Sequence, residues 1–337
     1  MIPPTVPLSV LDVAPVPDGA TPADALRNSL DLARHVEPLG YRRIWVAEHH
    51  NMPGIASSSP AVLLAHLAGV TSTIRLGSGG VMLPNHTPLV IAEQFGMLEA
   101  LHPGRIDLGL GRAPGTDPGT ARALRRSADP LSVEDFPQHV VELQRFFAGG
   151  FPEGHPYERI TATPGLGYGP EIWLLGSSTF SARLAGMLSL PFSFAHHFSA
   201  ENTLPALAAY RDTFRPSDER PEPQAMVAVT VVCAPSEDEA RWHAAPLGLA
   251  FLQLARGRPG RMPTPEAAAE YPYTVGERNL VESRLGSAIV GDPDQVRTQL
   301  AELVIETEAA EVMVSTMVHG HDARLESYRL LADAWSE

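Results

Sequence analysis

Short apolar runs rich in β-branched residues alternate along the chain with longer amphipathic segments. Apolar runs bounded by turn residues predict buried strands, and strands separated by helical patterns predict a parallel sheet with helical crossovers. The strand-like runs cover residues 8–13, 43–47, 74–82, 106–110, 172–175, 191–195, 225–233 and 311–315. The helix-like segments cover about 22–39, 60–72, 88–101, 131–148, 179–188, 200–214, 236–255 and 322–335, and a further helix begins near 292–294.

This strict alternation predicts an α/β fold of the closed (β/α)8 TIM barrel type. An open doubly wound sheet is the weaker alternative, because such sheets usually have about six strands. We predict one domain over residues 1–337, with insertions at about 149–170 and 256–287, where Gly, Pro and charged residues accumulate. A loop as long as the second insertion is usually functional or mobile in a compact domain.

Two predicted helices begin with the same capping sequence. Thr21 precedes Pro22, and Ser59 precedes Pro60, so a capping hydroxyl stands before a proline at the first helical position. Gly40 is predicted to end the first of these helices, because glycine adopts the left-handed conformation that often follows a helix.

Composition excludes several classes of function. The formal net charge of −14 argues against a nucleic-acid partner, which would require clustered Lys and Arg. The single cysteine, Cys233, lies in an apolar run, so no disulfide framework is expected. We find neither a basic leader nor an apolar stretch of roughly 18 residues, and therefore expect a cytoplasmic protein without a membrane partner.

In barrels of this kind the active site lies at the carboxyl ends of the strands. Glu48, His49 and His50 follow the second predicted strand, and a histidine there can donate or accept a proton. Neighbours on an extended chain point to opposite faces, so only one of the two histidines is expected to face a ligand. Capping of the strand end is the alternative interpretation of the pair.

The third predicted strand ends in small residues, with glycines in the segment 77–80 that include Gly79 and Gly80. Their lack of side chains would let a flat ring lie against the backbone, although a simple bulge at a barrel corner explains them equally well. The loop that follows carries Asn85.

Two features point to a phosphate. Arg112 stands on a small-residue loop after the fourth strand, and an arginine can make a forked contact with phosphate. After the fifth strand, a helix opens with Gly176, Ser177, Ser178 and, within its first turn, Ser181; free N–H groups at a helix start bind anions. A lone surface arginine and ordinary helix capping are the alternatives.

Further histidines follow the sixth strand, at His196 and His197, and the eighth, at His319 and His321. A metal site is conceivable from these imidazoles. Catalytic metal barrels usually add carboxylates at strand ends, however, and Glu48 is the only clear one, so we expect no metal.

Three ordered segments resemble the luciferase-like monooxygenase family, and most closely its single-chain branch related to the bacterial luciferase α subunit. They are WVAEHH at 45–50, GSGGVMLP at 77–84, and the stretch from Pro103-Gly104-Arg105 to Gly111-Arg112. The resemblance implies that His49 is catalytic, with Glu48 fixing its tautomer or closing a polar wall. It also implies a cis peptide at Gly79-Gly80 beneath the flavin ring, and FMN phosphate binding by Arg112 and the Gly176 to Ser181 turn.

The implied reaction uses reduced FMN and O2 to form a flavin C4a-peroxide that oxygenates a small organic substrate. His196, His197 and Asn85 are expected to border the substrate pocket, and 256–287 matches the family's mobile lid. A homodimer formed through the helices at 60–72 and 88–101 is expected. The sequence leaves open whether NAD(P)H reduces FMN on this chain or on a separate flavin reductase.

Two alternatives remain at this stage. The chain could be a non-catalytic flavin-binding protein, or an oxidoreductase that uses the deazaflavin F420 on the same barrel. Luciferase has a reactive cysteine where this chain has Gly111, an acidic residue where it has Ser177, and a tryptophan where it has His196. Light emission is therefore not implied.

Overall fold

The computed structural model describes residues 6–125 and 134–336. Its strands are β1 (Leu8–Asp12), β2 (Arg43–Val46), β3 (Arg75–Met82), β4 (Ile106–Gly111), β5 (Glu171–Gly176), β6 (Phe192–Ala195), β7 (Ala225–Cys233), β8 (Ile289–Gly291) and β9 (Glu311–Ser315). Its helices are α1 (Pro22–Val36), α2 (Pro60–Ala68), α3 (Pro88–Leu101), α4 (Pro118–Arg125), α5 (Phe136–Ala148), α6 (Thr179–Met187), α7 (Thr203–Thr213), α8 (Glu237–Ala255), α9 (Pro265–Glu270), α10 (Val275–Leu285), α11 (Pro293–Thr307) and α12 (His321–Ser336).

The strands form a closed ring. From β1 to β7 each strand pairs with the next, β7 then pairs with β9, and β9 pairs with β1. Every one of these pairings is parallel, so the eight predicted strands close a (β/α)8 barrel, and the predicted fold is confirmed. The short strand β8 was not predicted, and it extends the sheet at the carboxyl end of β7, outside the ring.

Several element boundaries differ from the prediction. Helix α1 ends at Val36 instead of 39, because Pro38 has no N–H group to continue the helical hydrogen bonding. Helix α2 ends at Ala68 instead of 72. Helix α5 begins at Phe136, and residues 131–133 of the predicted helix lie outside the described residues.

Helices also occur where the sequence predicted loops. Residues 118–125 form α4, and the insertion at 256–287 contains α9 and α10. The first insertion, 149–170, is a succession of turns. Helices α9 and α10 pack against α8 through an apolar cluster that includes Leu249, Leu252 and Ala268. The second insertion is therefore a helical cover next to the barrel. Among the helices of the described ranges, none is both long enough and apolar enough to cross a membrane.

A charged layer fills the amino-terminal end of the barrel. Arg43 is fully buried, and its guanidinium donates to Asp107 at 2.7 Å and to the two carboxylate oxygens of Glu311 at 2.7 and 3.1 Å. The indole of Trp45 also donates to Asp107, at 2.9 Å. Burial alone would lower the pKa of Arg43, but the carboxylates of Asp107 and Glu311 outweigh burial and raise it. The guanidinium therefore stays charged and joins β2, β4 and β9.

Two tryptophans form the next layer. Trp45 and Trp173 meet edge to face, with ring centroids 5.4 Å apart, and the Arg43 guanidinium lies 4.9 Å from the centre of the Trp173 ring. Leu11 and Met313 pack with them. Above this layer the inward positions become small, with Gly79 on β3 and Ala228 on β7. The barrel is therefore closed below and open towards the carboxyl ends of its strands.

The charged layer makes a prediction about stability. Replacing Arg43 by Met should lower the free energy of unfolding by about 3–5 kcal/mol, because buried Glu311 would lose its hydrogen-bonded guanidinium partner and buried Asp107 would keep only Arg75 as a cationic partner. Urea denaturation at neutral pH measures this. The control is Arg27→Met, which breaks the exposed pair with Asp24 on α1 and should cost far less. Equal losses in the two variants would contradict the importance of the network.

Candidate functional site

A cavity of about 270 Å³ opens at the carboxyl ends of the strands. Its floor is apolar, with Leu11, Trp45 and Met313. Nine of the residues that the sequence proposed as functional line this one cavity: His49, Gly79, Gly80, Arg112, Gly176, Ser177, Ser178, Ser181 and His197. His49 and the proposed cofactor residues therefore converge, although they come from four different strand ends.

His49 follows β2 and presents its imidazole to the cavity. Its Nδ1 lies 3.3 Å from the carbonyl oxygen of Gly115. A carbonyl oxygen only accepts, so Nδ1 carries the proton and Nε2 keeps its lone pair. Burial lowers the pKa of His49 below its ordinary value. A neutral imidazole with a free Nε2 can act as a proton acceptor.

His197 follows β6, lines the same cavity and is held in the same way. Its Nδ1 donates to the carbonyl oxygen of Ala228 at 2.9 Å, and burial lowers the pKa of His197 to about 4. His196 does not line the cavity, because its Nδ1 lies 2.9 Å from the hydroxyl of Thr203 at the start of α7. The two neighbouring histidines, both proposed for the substrate pocket, are thus separated, and only His197 faces it.

The carboxylate of Glu48 is fully buried and lies away from the cavity lining. Its Oε1 accepts from Nε2 of His50 and from Nε2 of His86, each at 2.9 Å, and its Oε2 accepts from the amide of Met82 at 3.0 Å. Burial alone would raise the pKa of Glu48, but these hydrogen bonds outweigh burial and lower it. Glu48 thus ties the end of β2 to the loop after β3, while the Gly115 carbonyl sets the tautomer of His49.

Asn85 supports the same corner of the barrel from behind. Its side-chain amide donates to the Pro114 carbonyl at 2.9 Å and accepts from Arg125 Nε at 3.2 Å. It does not line the cavity. Its contacts join the loop after β3 to the loop after β4, which carries the Gly115 carbonyl used by His49. Asn85, expected at the border of the substrate pocket, thus lies behind the cavity wall and connects two loops.

The glycines of β3 form one wall of the cavity. The peptide bond between Gly79 and Gly80 is cis, as the family resemblance implied. A Cβ on Gly79 would lie 2.7 Å from a methyl carbon of Leu11, and one on Gly80 would lie 2.8 Å from the Gly109 carbonyl oxygen. No side chain fits at either position without a shift of its neighbours, so this wall presents bare backbone.

The start of α6 and the nearby Arg112 together could hold an anion. The hydroxyl of Ser178, at the N-cap, makes no capping hydrogen bond, so the first N–H groups of α6 remain available. Gly176 allows the first turn to pack closely, because a Cβ there would lie 2.7 Å from Cβ of Ser181. The Arg112 guanidinium stacks on the Phe180 ring at 4.2 Å. Within the described ranges, no carboxylate lies within 4.0 Å of it.

Several lining residues were missed by sequence reasoning. Hydroxyls of Ser193, Thr230 and Ser315 stand at inward positions on β6, β7 and β9. Their signal was a polar residue inside an apolar strand near its carboxyl end. Arg284 on α10 also lines the cavity, and no local pattern marked it. A barrel register would have been needed to find the hydroxyls, and tertiary packing to find the arginine.

The remaining histidines lie outside the cavity. His319 Nε2 lies 3.2 Å from the Asp18 carbonyl oxygen, and His321 Nε2 lies 2.9 Å from the Asp31 carboxylate. Within residues 6–125 and 134–336, no group of three His, Cys, Asp or Glu side chains is arranged to hold a metal ion.

The chain and its barrel are similar to known proteins. The model of the luciferase-like monooxygenase family covers residues 7–310. The chain belongs to this family. It is 51% identical to the uncharacterised protein YvbT of Bacillus subtilis, over 97% of this chain and 96% of that protein. It is 35% identical to the N-acetyl-S-alkylcysteine monooxygenase of the same organism, over 97% of each.

Several solved structures are similar to this chain. The crystal structure of apo-MsnO8 has 38% identity and a TM-score of 0.89, and the match covers 98% of both chains. The oxygenating constituent of 3,6-diketocamphane monooxygenase in complex with FMN has 18% identity and a TM-score of 0.72, over 97% of both. An F420-dependent secondary alcohol dehydrogenase has 12% identity and a TM-score of 0.71, over 98% of this chain and 99% of that one. The last two likenesses show a shared fold.

Proposed function

We propose that the chain is an FMN-dependent monooxygenase, which uses reduced FMN and O2 to oxygenate a small organic substrate. The observation that carries this proposal is the continuity of the cavity, which joins an anion site, a bare backbone wall and a neutral histidine. Its apolar floor and few convergent polar groups are typical of a cofactor site. Relatives in the same family that are named monooxygenases support this reaction class.

The residues present fit FMN. Arg112 and the first turn of α6, with Ser177, Ser178 and Ser181, would hold the phosphate. The Gly79-Gly80 wall would receive the flat ring system, since no side chain projects from it. When bound, reduced FMN supplies the electrons that activate O2 for transfer of one oxygen atom to the substrate.

The protein's own groups would shield the reacting atoms from water and would accept or return a proton. The apolar floor of Leu11, Trp45 and Met313 would exclude water from the reacting atoms. His49 Nε2 would accept a proton or return it, since its Nδ1 proton is held by the Gly115 carbonyl. Glu48 and Asn85 would act indirectly, by fixing the loops that carry His49 and Gly115.

The proposed phosphate site makes a prediction about cofactor binding. Arg112→Met should weaken FMN binding by about tenfold or more, because a charge-assisted contact with the phosphate is lost. Fluorescence titration of FMN measures the dissociation constant, and Arg183→Met, an exposed change on α6, serves as control. Parallel titration with F420 distinguishes the two flavins. Binding of F420 but not FMN, or of neither, would overturn the proposal.

His49→Gln should lower the rate of substrate oxygenation by roughly a hundredfold while FMN still binds, because a positioned acid or base is removed. N-acetyl-S-methylcysteine is a suitable first substrate, given the relative's name. Photochemically reduced FMN makes the assay independent of NAD(P)H and of a separate flavin reductase. Unchanged oxygenation by His49→Gln would remove His49 from the reaction.

The wild type and His49→Gln also differ in the expected pH dependence of the oxygenation rate. His49 must be neutral to accept a proton, and burial lowers its pKa below the ordinary 6.5. The wild-type rate should therefore fall only below pH 6.5, as the imidazole becomes protonated. The rate of His49→Gln should not show this fall at acidic pH.

We also propose a homodimer formed through α2 and α3. These adjacent helices expose apolar side chains that a solitary chain would leave in water, with Val62 61%, Val90 43%, Met97 53% and Leu101 68% exposed. A second copy of the chain would cover such a face.

Leu101→Asp should shift the protein towards monomer, because it places a charge in the proposed contact. Light scattering after size-exclusion chromatography measures the mass. Ile305→Asp on α11, 58% exposed before the change, is the matched control and should leave the mass unchanged. A monomeric wild type would contradict the proposed dimer.

A further inference from the structure

The cavity contains a second arginine that the proposed phosphate site does not use. Arg284 lies near the carboxyl end of α10, on the helical cover, and lines the cavity together with Phe198 and Leu247. Among the residues that the structure describes, no carboxylate lies within 4.0 Å of its guanidinium, and no Asp or Glu lines the cavity. In a chain of net charge −14, a cavity with two arginines and no acidic group is selective for anions.

The guanidinium of Arg284 is held in place. It donates through one terminal nitrogen to the carbonyl oxygen of His197. It lies 5.1 Å from the centre of the Phe251 ring and 5.6 Å from that of Phe198, both within the range of cation–π attraction. These contacts order the side chain without neutralising its charge, and they leave further N–H groups to donate.

The surroundings of Arg284 make a bare positive charge costly. Arg284 is half-buried, and burial lowers its pKa. A cation that is partly removed from water and has no acidic partner is stabilised by an anionic ligand, and its planar fork matches a carboxylate. Met317 and Leu247 provide apolar surface in the same cavity.

We propose that Arg284 binds the carboxylate of the organic substrate, so that the substrates are small amphipathic carboxylic acids. This inference rests on the proposed monooxygenase function and adds the substrate class to it. The carboxylate lies at the helical cover, against Arg284, and the apolar body of the substrate extends towards the cavity floor. Arg284 is then a specificity-determining residue, and Arg112 serves the cofactor.

The test compares each of three carboxylates with its own neutral carboxamide. The probes are hexanoate, N-acetylmethionine and N-acetyl-S-methylcysteine, titrated by calorimetry into the FMN-loaded protein and into the protein alone. At least one carboxylate should bind about tenfold or more tightly than its carboxamide, since a charge-assisted hydrogen-bond pair is lost in the amide. No binding by any carboxylate, or equal binding of every pair, would overturn the inference.

Variants then assign the preference to one side chain. Arg284→Met should abolish the difference between carboxylate and carboxamide, and Arg284→Lys should retain part of it. Arg278→Met removes an exposed arginine from the same helix and should keep the full difference. Equal preference in Arg284→Met and wild type would assign the anion to another group and overturn the inference.

Failure of this inference can be distinguished from failure of the proposed monooxygenase function. If Arg284→Met weakened FMN binding as strongly as Arg112→Met and left carboxylate binding intact, Arg284 would belong to the cofactor site and the inference would be wrong. If FMN did not bind at all, the monooxygenase function would be wrong, while the titrations of the protein alone would still show whether Arg284 selects carboxylates.

Discussion

The strict alternation of inward and outward side chains in a closed parallel barrel determines where everything else can lie. Because inward residues recur at every second position, they stack in layers across the barrel. The lowest layer is charged and centred on Arg43, the next is filled by Trp45 and Trp173, and the uppermost is small or polar. The cavity exists because the size of the inward side chains falls from the tryptophan layer to the rim.

The same alternation explains how much of the fold could be predicted. Eight apolar runs separated by helical patterns were sufficient for the barrel, and within the described residues one short strand, β8, was missed. The end of α1 was misplaced because Pro38 has no N–H group to continue the helical hydrogen bonding. Helices α9 and α10 were missed although Thr264-Pro265 and the capping box of Thr274 and Glu277 mark their starts, because both helices are short and pack against α8.

Side-chain directions were predicted correctly where strand geometry governs them. His49 faces the cavity, whereas its neighbour His50 binds Glu48 on the other side, as expected for adjacent residues of an extended chain. Placement was less accurate beyond the strands. Asn85 lies in a short 3-10 helix and His196 in a turn, where side-chain direction depends on contacts with Pro114 and Thr203 that are distant or unmarked in the sequence.

Both cavity histidines are oriented by main-chain carbonyls, those of Gly115 and Ala228, and not by acidic side chains. Every amino acid supplies a carbonyl, so no substitution at either partner position removes the acceptor itself. Mutation of Gly115 or Ala228 therefore does not change which ring nitrogen of the two imidazoles carries the proton, as long as the backbone keeps its course. Other side chains that line the cavity can then change without moving the carbonyl groups that orient His49 and His197.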